Sequence, residues 1–400
     1  MQCLTDLEKL KIKDCPEFHS LEGIGGLVML KVLKIEGMPK LVELPEELGE
    51  LKSLQKLCLS QCSNLSSLPK GVQCLTELQK LQIADCLELH SLKGIGSLMA
   101  LKILKIRNMP KLVGLPEELA DLNSLQELQI QQCPNLSSLP EGMQCLTELQ
   151  TLQIADCPEL HSLEGIRGFI ALNILKIDDM PKLVGLPEEL GDLNSLRDFQ
   201  IRQCPNLSSL PKGMWNLTGL QILQLVNCPE LHSLEGIGGL IALKVLEIDD
   251  MPKLVGLPEE LGDLISLEKL HISTCPNLSS LPEGMNRLTK LSTLCIEYCT
   301  GLHSLEGIGG LISLENLEVN HVPMLVGLPE ELGYLKSLRQ LLIWWCPNVS
   351  SLPDGMQHLT ELQNLQIMQC PQLEERCSIN TGEDWAKISH VPDIHIWLCY

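Results

Sequence analysis

The chain repeats itself every 71 residues without slippage, and little besides a stack of repeats can fold from such a pattern. Cysteine ahead of a short loop recurs at Cys15, Cys86, Cys157, Cys228, Cys299 and Cys370. A second series falls at Cys62, Cys133, Cys204, Cys275 and Cys346, and a third at Met38, Met109, Met180, Met251 and Val322. Whatever recurs at this period is scaffold. Whatever departs from it is the candidate for function.

Each block divides again into thirds of 23, 24 and 24 residues, from Cys15 to Met38 to Cys62 to Cys86. Every third carries L-x-x-L-x-I/L-x-x-C/M-P-x-L-x-x-L. In one copy it runs Leu149, Leu152, Ile154, Cys157, Leu160, Leu163. This is the leucine-rich repeat, whose unit is about 20–29 residues long, and the landmarks count sixteen of them. Leu152-Gln153-Ile154-Ala155 alternates apolar and polar, which predicts a short half-buried strand. Such a strand is too short to stand alone and must join a parallel ladder. At about 4.8 Å per strand, sixteen strands make a curved sheet on the order of 75 Å long. The expected fold is therefore an α/β solenoid, a horseshoe with a parallel concave sheet. Cysteine, small and apolar with a weak S–H donor, suits the inner corner after the strand. The Leu-Pro-Glu-Glu-Leu-Gly and Glu-Gly-Ile-Gly stretches are too short and too rich in Gly and Pro for long helices. They predict an irregular convex side of loops and single turns.

The 400 residues alone would suggest two or three globular domains, but the repeat predicts one elongated domain over 1–373 with a tail at 374–400. Aromatics at 3% fit a narrow interior of leucine and isoleucine. A net charge of −21 argues against nucleic acid and against anionic membrane surfaces as partners. Much of that acidity is periodic (Glu46-Glu47, Glu117-Glu118, Glu188-Glu189, Glu259-Glu260, Glu330-Glu331), and it reads as a solvated surface that keeps a long stack soluble. Eleven cysteines sit at corners, one per repeat and facing alike, which suits a reduced stack in a cytosolic or nuclear compartment. No C-x-x-C pair exists, so no zinc site or other cofactor is expected, and Cys58/Cys62 and Cys295/Cys299 read as accidental neighbours. No apolar run reaches transmembrane length and no signal pattern opens the chain. Of six N-x-S/T sequons, Asn64, Asn135, Asn206, Asn277 and Asn348 are one sequon copied by the repeat; the sixth is at Asn216.

Met1-Gln2-Cys3-Leu4-Thr5 matches Met143-Gln144-Cys145-Leu146-Thr147, so the sequence opens in mid-repeat without a polar cap. The expectation is the C-terminal part of a longer chain, or a product begun at an internal methionine. At the other end, Thr381 and Asp384 predict a short helix presenting Trp385 and Ile388. Ile394-His395-Ile396 predicts a last strand over the open sheet edge.

Two features together resemble a known family. One is the repeat with cysteine where many leucine-rich repeats hold asparagine. The other is Glu375-Arg376-Cys377 followed by Gly382-Glu383-Asp384-Trp385, Lys387-Ile388, His390, Pro392 and Ile394. Both look like the C-terminal repeat region of plant intracellular nucleotide-binding leucine-rich-repeat immune receptors of the coiled-coil type. The resemblance implies a region that recognises pathogen effectors or guarded host proteins in plant defence. It also implies folding back on a nucleotide-binding module to hold the receptor off. The chain departs from that family by lacking the G-x-x-x-x-G-K-[ST] phosphate loop and by its far more uniform repeats.

No catalytic constellation stands out. His19, His90, His161, His232 and His303 recur at one repeat position, which makes them scaffold rather than general bases. The outward strand positions are where a protein ligand would bind. Early ones hold Lys11, Lys13, Lys34, Lys105 and Arg107 against Asp14, Glu36 and Asp85. Middle ones hold Asp178, Asp179, Glu247, Asp249 and Asp250 against Lys176 and Arg202. The face is expected to run from mildly basic to acidic, either by drift or to orient a partner. The sharper departure comes late: Tyr298, His321, Trp344 and Trp345, with Leu342, Met368, Glu297 and Glu318 beside them. Exposed aromatic anchors are the usual material of binding hot spots. By alternation Trp344 faces outward, and Trp345 falls at the strand end. The competing expectation is that the tail folds back over this patch through Trp397 and Tyr400.

Overall fold

The computed structural model describes residues 6–397. The opening Met1–Thr5 and Tyr400 lie outside the described residues. Two compact units, Met1–Leu196 and Arg197–Tyr400, are built from the same turn. The first carries β1 (Lys9–Lys13), β2 (Val32–Glu36), β3 (Lys56–Ser60), β4 (Lys80–Ala84), β5 (Ile103–Arg107), β6 (Glu127–Gln131), β7 (Thr151–Ala155) and β8 (Ile174–Asp178). The second carries β9 (Asp198–Arg202), β10 (Ile222–Val226), β11 (Val245–Asp249), β12 (Lys269–Ser273), β13 (Thr293–Glu297), β14 (Asn316–Asn320), β15 (Gln340–Trp344), β16 (Asn364–Met368) and β17 (Asp393–Trp397). Within each unit successive strands pair in parallel and in strict register, for example Leu33↔Leu57 and Leu341↔Leu365. This is the solenoid that the period demanded, with β1–β16 from the repeats and β17 from the tail.

The strand is short because only its second and fourth residues have a core to enter. Leu152 and Ile154 are fully buried, as are Leu341 and Ile343. Burying one such side chain contributes about 1.5–3 kcal/mol, and the stack repeats this at every turn. The residue after each repeat strand turns left-handed, from Asp14 at φ 52° to Gln369 at φ 57°, with Gly37 in the same role. Its amide donates to the last carbonyl of the next strand, as Gln61 N–H does to Ala84 at 3.0 Å. The following cysteine drops into the corner. Its thiol donates back to the strand end: Cys157 to the Ala155 carbonyl at 3.3 Å, Cys275 to that of Ser273 at 3.2 Å. Burial pushes the Cys228 thiol up to about 11, so it stays a protonated donor. Met109, Met180, Met251 and Val322 fill the same corner by bulk alone.

The return segments form 3₁₀ turns, some opened by a proline, as Glu46–Glu50 and Glu259–Asp263 are, and some by a left-handed glycine, as Ile24–Gly26 is. The turns of adjacent repeats pack backbone to backbone. A Cβ on Gly71 would sit 2.2 Å from the Glu46 carbonyl oxygen, so only glycine fits there.

Two periodic features have structural work that the sequence did not reveal. The first glutamate of the Glu-Glu pairs is not merely solvated. Glu46 accepts the Gly71 N–H at 2.6 Å, Glu259 that of Gly284 at 2.7 Å, and Glu330 that of Asp354 at 3.1 Å. Each satisfies orphan donors at the next turn. The copied sequon asparagines form a similar link, with Asn135, Asn277 and Asn348 donating to the carbonyls of Pro110, Pro252 and Pro323.

After β16 the chain forms α1 (Pro371–Arg376) and α2 (Trp385–Ile388) before β17. Ile388 is fully buried, and β17 lies parallel to β16 with Ile394 opposite Leu365. Among the described residues no helix is long and apolar enough to cross a membrane.

Candidate protein-binding face

The outward side chains sort into rows that cross the strands. In the second unit the third strand position gives His271, Cys295, Glu318, Leu342 and Gln366, and the fifth gives Glu297, Asn320, Trp344, Met368 and Trp397. The left-handed residues form a third row along the edge, Thr274, Tyr298, His321, Trp345 and Gln369. Every residue of the late cluster expected from sequence (Tyr298, His321, Leu342, Trp344, Trp345, Met368, Glu297, Glu318) lies on this one face.

The edge row is the most unusual part. Elsewhere it holds Asp, Asn, Gln, Gly or Thr, and Asn and Asp tolerate positive φ well. At Tyr298, His321 and Trp345, with φ of 52°, 53° and 52°, it holds three rings. The rings stack: centroids lie 4.4 Å apart between Tyr298 and His321, and 5.1 Å apart between His321 and Trp345. That spacing is the strand spacing itself, so the ladder imposes the stack. His321 Nδ1–H donates to Asn320 Oδ1 at 2.7 Å, which fixes the middle ring. Tyr298 remains 46% and Trp345 50% exposed.

The two tryptophans differ in exposure. Trp344 is half-buried between Asn320 and Met368, and its indole Nε1 is sealed without a hydrogen-bond partner. Trp345 is the exposed one, because the left-handed residue breaks the alternation that would have turned it inward. Among the described residues the tail does not fold over the patch; Tyr400, the other residue of that expectation, lies outside them. Trp397 comes into register beside Met368 and is itself 60% exposed, so it lengthens the row.

One polar group on this face was missed. His271, Cys295 and Glu297 bring an imidazole nitrogen, a thiol and a carboxylate within 4.8 Å of one another. Cys295, read from sequence as accidental, is half-buried in this cluster, and burial, with Glu318 and Glu297 nearby, pushes its thiol up. Burial, reinforced by Glu297, likewise holds the Glu318 carboxyl above the ordinary glutamate value. The signal was present in the sequence, in the third strand positions of two consecutive repeats and the fifth position of the second, but shows only when the repeats are laid in register.

In the first unit the early basic residues are largely neutralised in place. Lys11 and Lys13 each lie 3.2 Å from Glu36, and Lys105 lies 2.7 Å from Glu127. Its later acidic edge is more strained: burial first, then Asp156 and Asp178, raise the Asp179 carboxyl. A raised carboxyl favours folding below its unfolded value near pH 4 and works against it as pH rises through the folded value. Asp179→Asn, at φ 48° where asparagine is at ease, is therefore expected to stabilise at pH 7 by a few tenths of a kcal/mol, given partial exposure. The gain should vanish below about pH 4, as urea titrations at both pH values will read.

The scaffold histidines behave as the period implied: His90, His161 and His232 turn Nδ1 toward the carbonyl two residues back. A depression of about 870 Å³ on the return side, beside Gly307 and Gly310, is edged by the periodic Glu259, Glu283, Glu306 and Glu331 with His303.

Known proteins agree with this architecture. A leucine-rich protein of Leptospira interrogans, LIC12759, superposes with a TM-score of 0.72 at 27% identity, covering 98% of this chain and 96% of that one. TLR13, solved in complex with ssRNA13, gives a TM-score of 0.73 at 18% identity over 98% of this chain and 57% of its own, which is a likeness of fold alone. The putative disease resistance protein RGA4 of Solanum bulbocastanum is 42% identical over 45 residues. That stretch is 11% of this chain and 5% of the length of RGA4. Residues 81–210 and 204–400 match the leucine-rich repeat region family. With most of its repeats inside that match and its strand face presented outward, the chain belongs to the leucine-rich repeat region family, a protein-interaction module.

Proposed function

We propose that the chain is the non-catalytic recognition region of a plant intracellular immune receptor of the coiled-coil, nucleotide-binding type, or a decoy derived from one. On this reading it works in the cytoplasm or nucleus and binds a pathogen effector or a guarded host protein. The observation that carries the reading is the stacked, exposed run Tyr298–His321–Trp345 at left-handed positions. A uniform scaffold needs no bulky rings where Asp and Asn suffice, and strained residues gather where a surface has a task. Trp344, Leu342 and Met368 supply apolar area beside the run, and Glu297 and Glu318 a polar rim. Large rigid rings lose little side-chain entropy on binding and anchor such interfaces. The RGA4 match supports the plant-defence assignment. In this reading residues 374–400 are the cap of the repeat domain 1–373.

The test is a binding screen of the purified chain against secreted effectors and host immune proteins, with a nucleotide-binding module of a receptor as one member. A partner that binds wild type and is released by Trp344→Ala/Trp345→Ala, with circular dichroism unchanged, supports recognition by this face. Binding only to the nucleotide-binding module would replace effector sensing by autoinhibition. A partner held equally well by the double variant would remove the face from consideration.

A further inference from the structure

We propose that His271, Cys295, Glu297 and Glu318 form a binding site for a single zinc-class transition-metal ion on the strand face of the second unit. The donors come from three adjacent strands in register: His271 on β12, Cys295 and Glu297 on β13, Glu318 on β14. His271 stands opposite Cys295, and Cys295 opposite Glu318. Three ligand atoms, one nitrogen, one sulfur and one carboxylate oxygen, already lie within 4.8 Å of one another.

The chemistry of the set selects the ion. Thiolate and imidazole favour zinc over magnesium or calcium, which take oxygen ligands. A tetrahedral zinc holds its ligands at about 2.0–2.3 Å, which places ligand atoms about 3.3–3.8 Å apart. His271 Nε2 is 3.4 Å from Glu297 Oε2. It is also sealed from solvent with no hydrogen bond made, so the nitrogen is aimed at the cluster and not used by it. Glu318, opposite Cys295 on the next strand, would supply the fourth donor. Without a cation, two carboxylates and a thiol crowd one half-buried spot, and that is the arrangement a divalent ion relieves.

The surroundings orient the ligands as metal sites require. Asn320 Nδ2 donates to Glu297 Oε1 at 3.2 Å, leaving Oε2 turned to the histidine. The same asparagine accepts from His321 in the aromatic stack. A metal at the cluster would therefore fix Glu297, through it Asn320, and so the middle ring of the binding face. This site stands on its own geometry and does not depend on the identity of any protein partner.

The test is a Co²⁺ titration of the full chain under a phosphine reductant, followed by absorption. The expected result is one tetrahedral Co²⁺ per chain with a thiolate-to-cobalt charge-transfer band, bleached by Zn²⁺. A background of Cys74→Ser/Cys145→Ser removes two exposed thiols first. In that background Cys295→Ser should abolish the band, and His271→Gln or Glu297→Gln should weaken binding at least tenfold, with circular dichroism unchanged. Cys58→Ser is the control, because Cys58 holds the same outward position on β3 between Lys34 and Gln82. A wild-type chain that shows no charge-transfer band overturns the site, as does a band that survives Cys295→Ser or disappears in Cys58→Ser.

Discussion

Asp384→Ala is expected to release the tail from the last repeats at a cost of about 3 kcal/mol, the lower end of what breaking a buried ion pair costs. The Asp384 side chain is 1% exposed and lies between two cations. Its carboxylate accepts from Arg376 Nε at 3.0 Å and Nη2 at 3.1 Å, from Lys387 at 3.1 Å and from the Leu352 N–H at 2.9 Å. Lys387 in turn donates to the Leu352 carbonyl at 2.7 Å and pairs with Asp354 at 2.8 Å. One carboxylate thus ties α1, α2 and the return loop of the preceding repeat together. Alanine leaves a buried amide orphaned and two cations facing each other. Arg376 and Lys387 still reach solvent, which is why the lower end applies. Repeats unfold in neighbouring blocks rather than all at once, so the loss should appear as fast amide exchange confined to residues 371–397 and the strand they cover. Unchanged protection there would refute the prediction, and with it the assignment of 374–400 as a cap. The pH dependence has a definite sign. Burial opposes the charge, but Arg376, the Leu352 amide and Lys387 outweigh it and hold the carboxyl below its usual value. The stabilisation is then complete above the unfolded value near pH 4 and fades as pH falls through the lower, folded one.

The scaffold was legible in the sequence because its causes are local. Leu152 and Ile154 alternate with Gln153, Cys157 follows at a fixed step, and prolines and glycines forbid helices on the return side. The tail was legible for the same reason: Ile394-His395-Ile396 carries a strand pattern, and the structure places it as β17. What escaped depends on contacts between repeats. Glu46 looks like any surface carboxylate until Gly71, 25 residues on, presents its amide. The pairing of His271 with Cys295 depends on register across repeats. Trp345 was obscured by a backbone effect: alternation predicts facing only while φ stays extended, and at φ 52° the rule ends. The late aromatic cluster itself was visible as a departure from the period, but the stacking of Tyr298, His321 and Trp345 was not.

Trp345→Asn separates a recognition surface from a structural one, because the two roles move stability and affinity in different directions. Asn108 and Asn227 occupy the same left-handed position in other repeats, at φ 51° and 52°. Asparagine therefore relieves the about 1–2 kcal/mol that a left-handed conformation costs a bulky residue. It forfeits the stack on His321, worth about 0.5–1.5 kcal/mol. These nearly cancel, so the midpoint of chemical unfolding should stay within about 1 kcal/mol of wild type. Partner affinity should behave otherwise. A half-exposed indole fixed by a stacked neighbour is the kind of anchor whose removal costs 2 kcal/mol or more, which is a rise in Kd of about 30-fold. A structural ring would show the opposite pattern, with stability falling and affinity intact. Calorimetric binding and urea unfolding on the same preparation measure both. If the variant binds as tightly as wild type, the aromatic edge serves the repeats and not a partner. If it binds weakly while folding as well as before, the strain at Trp345 is maintained for recognition.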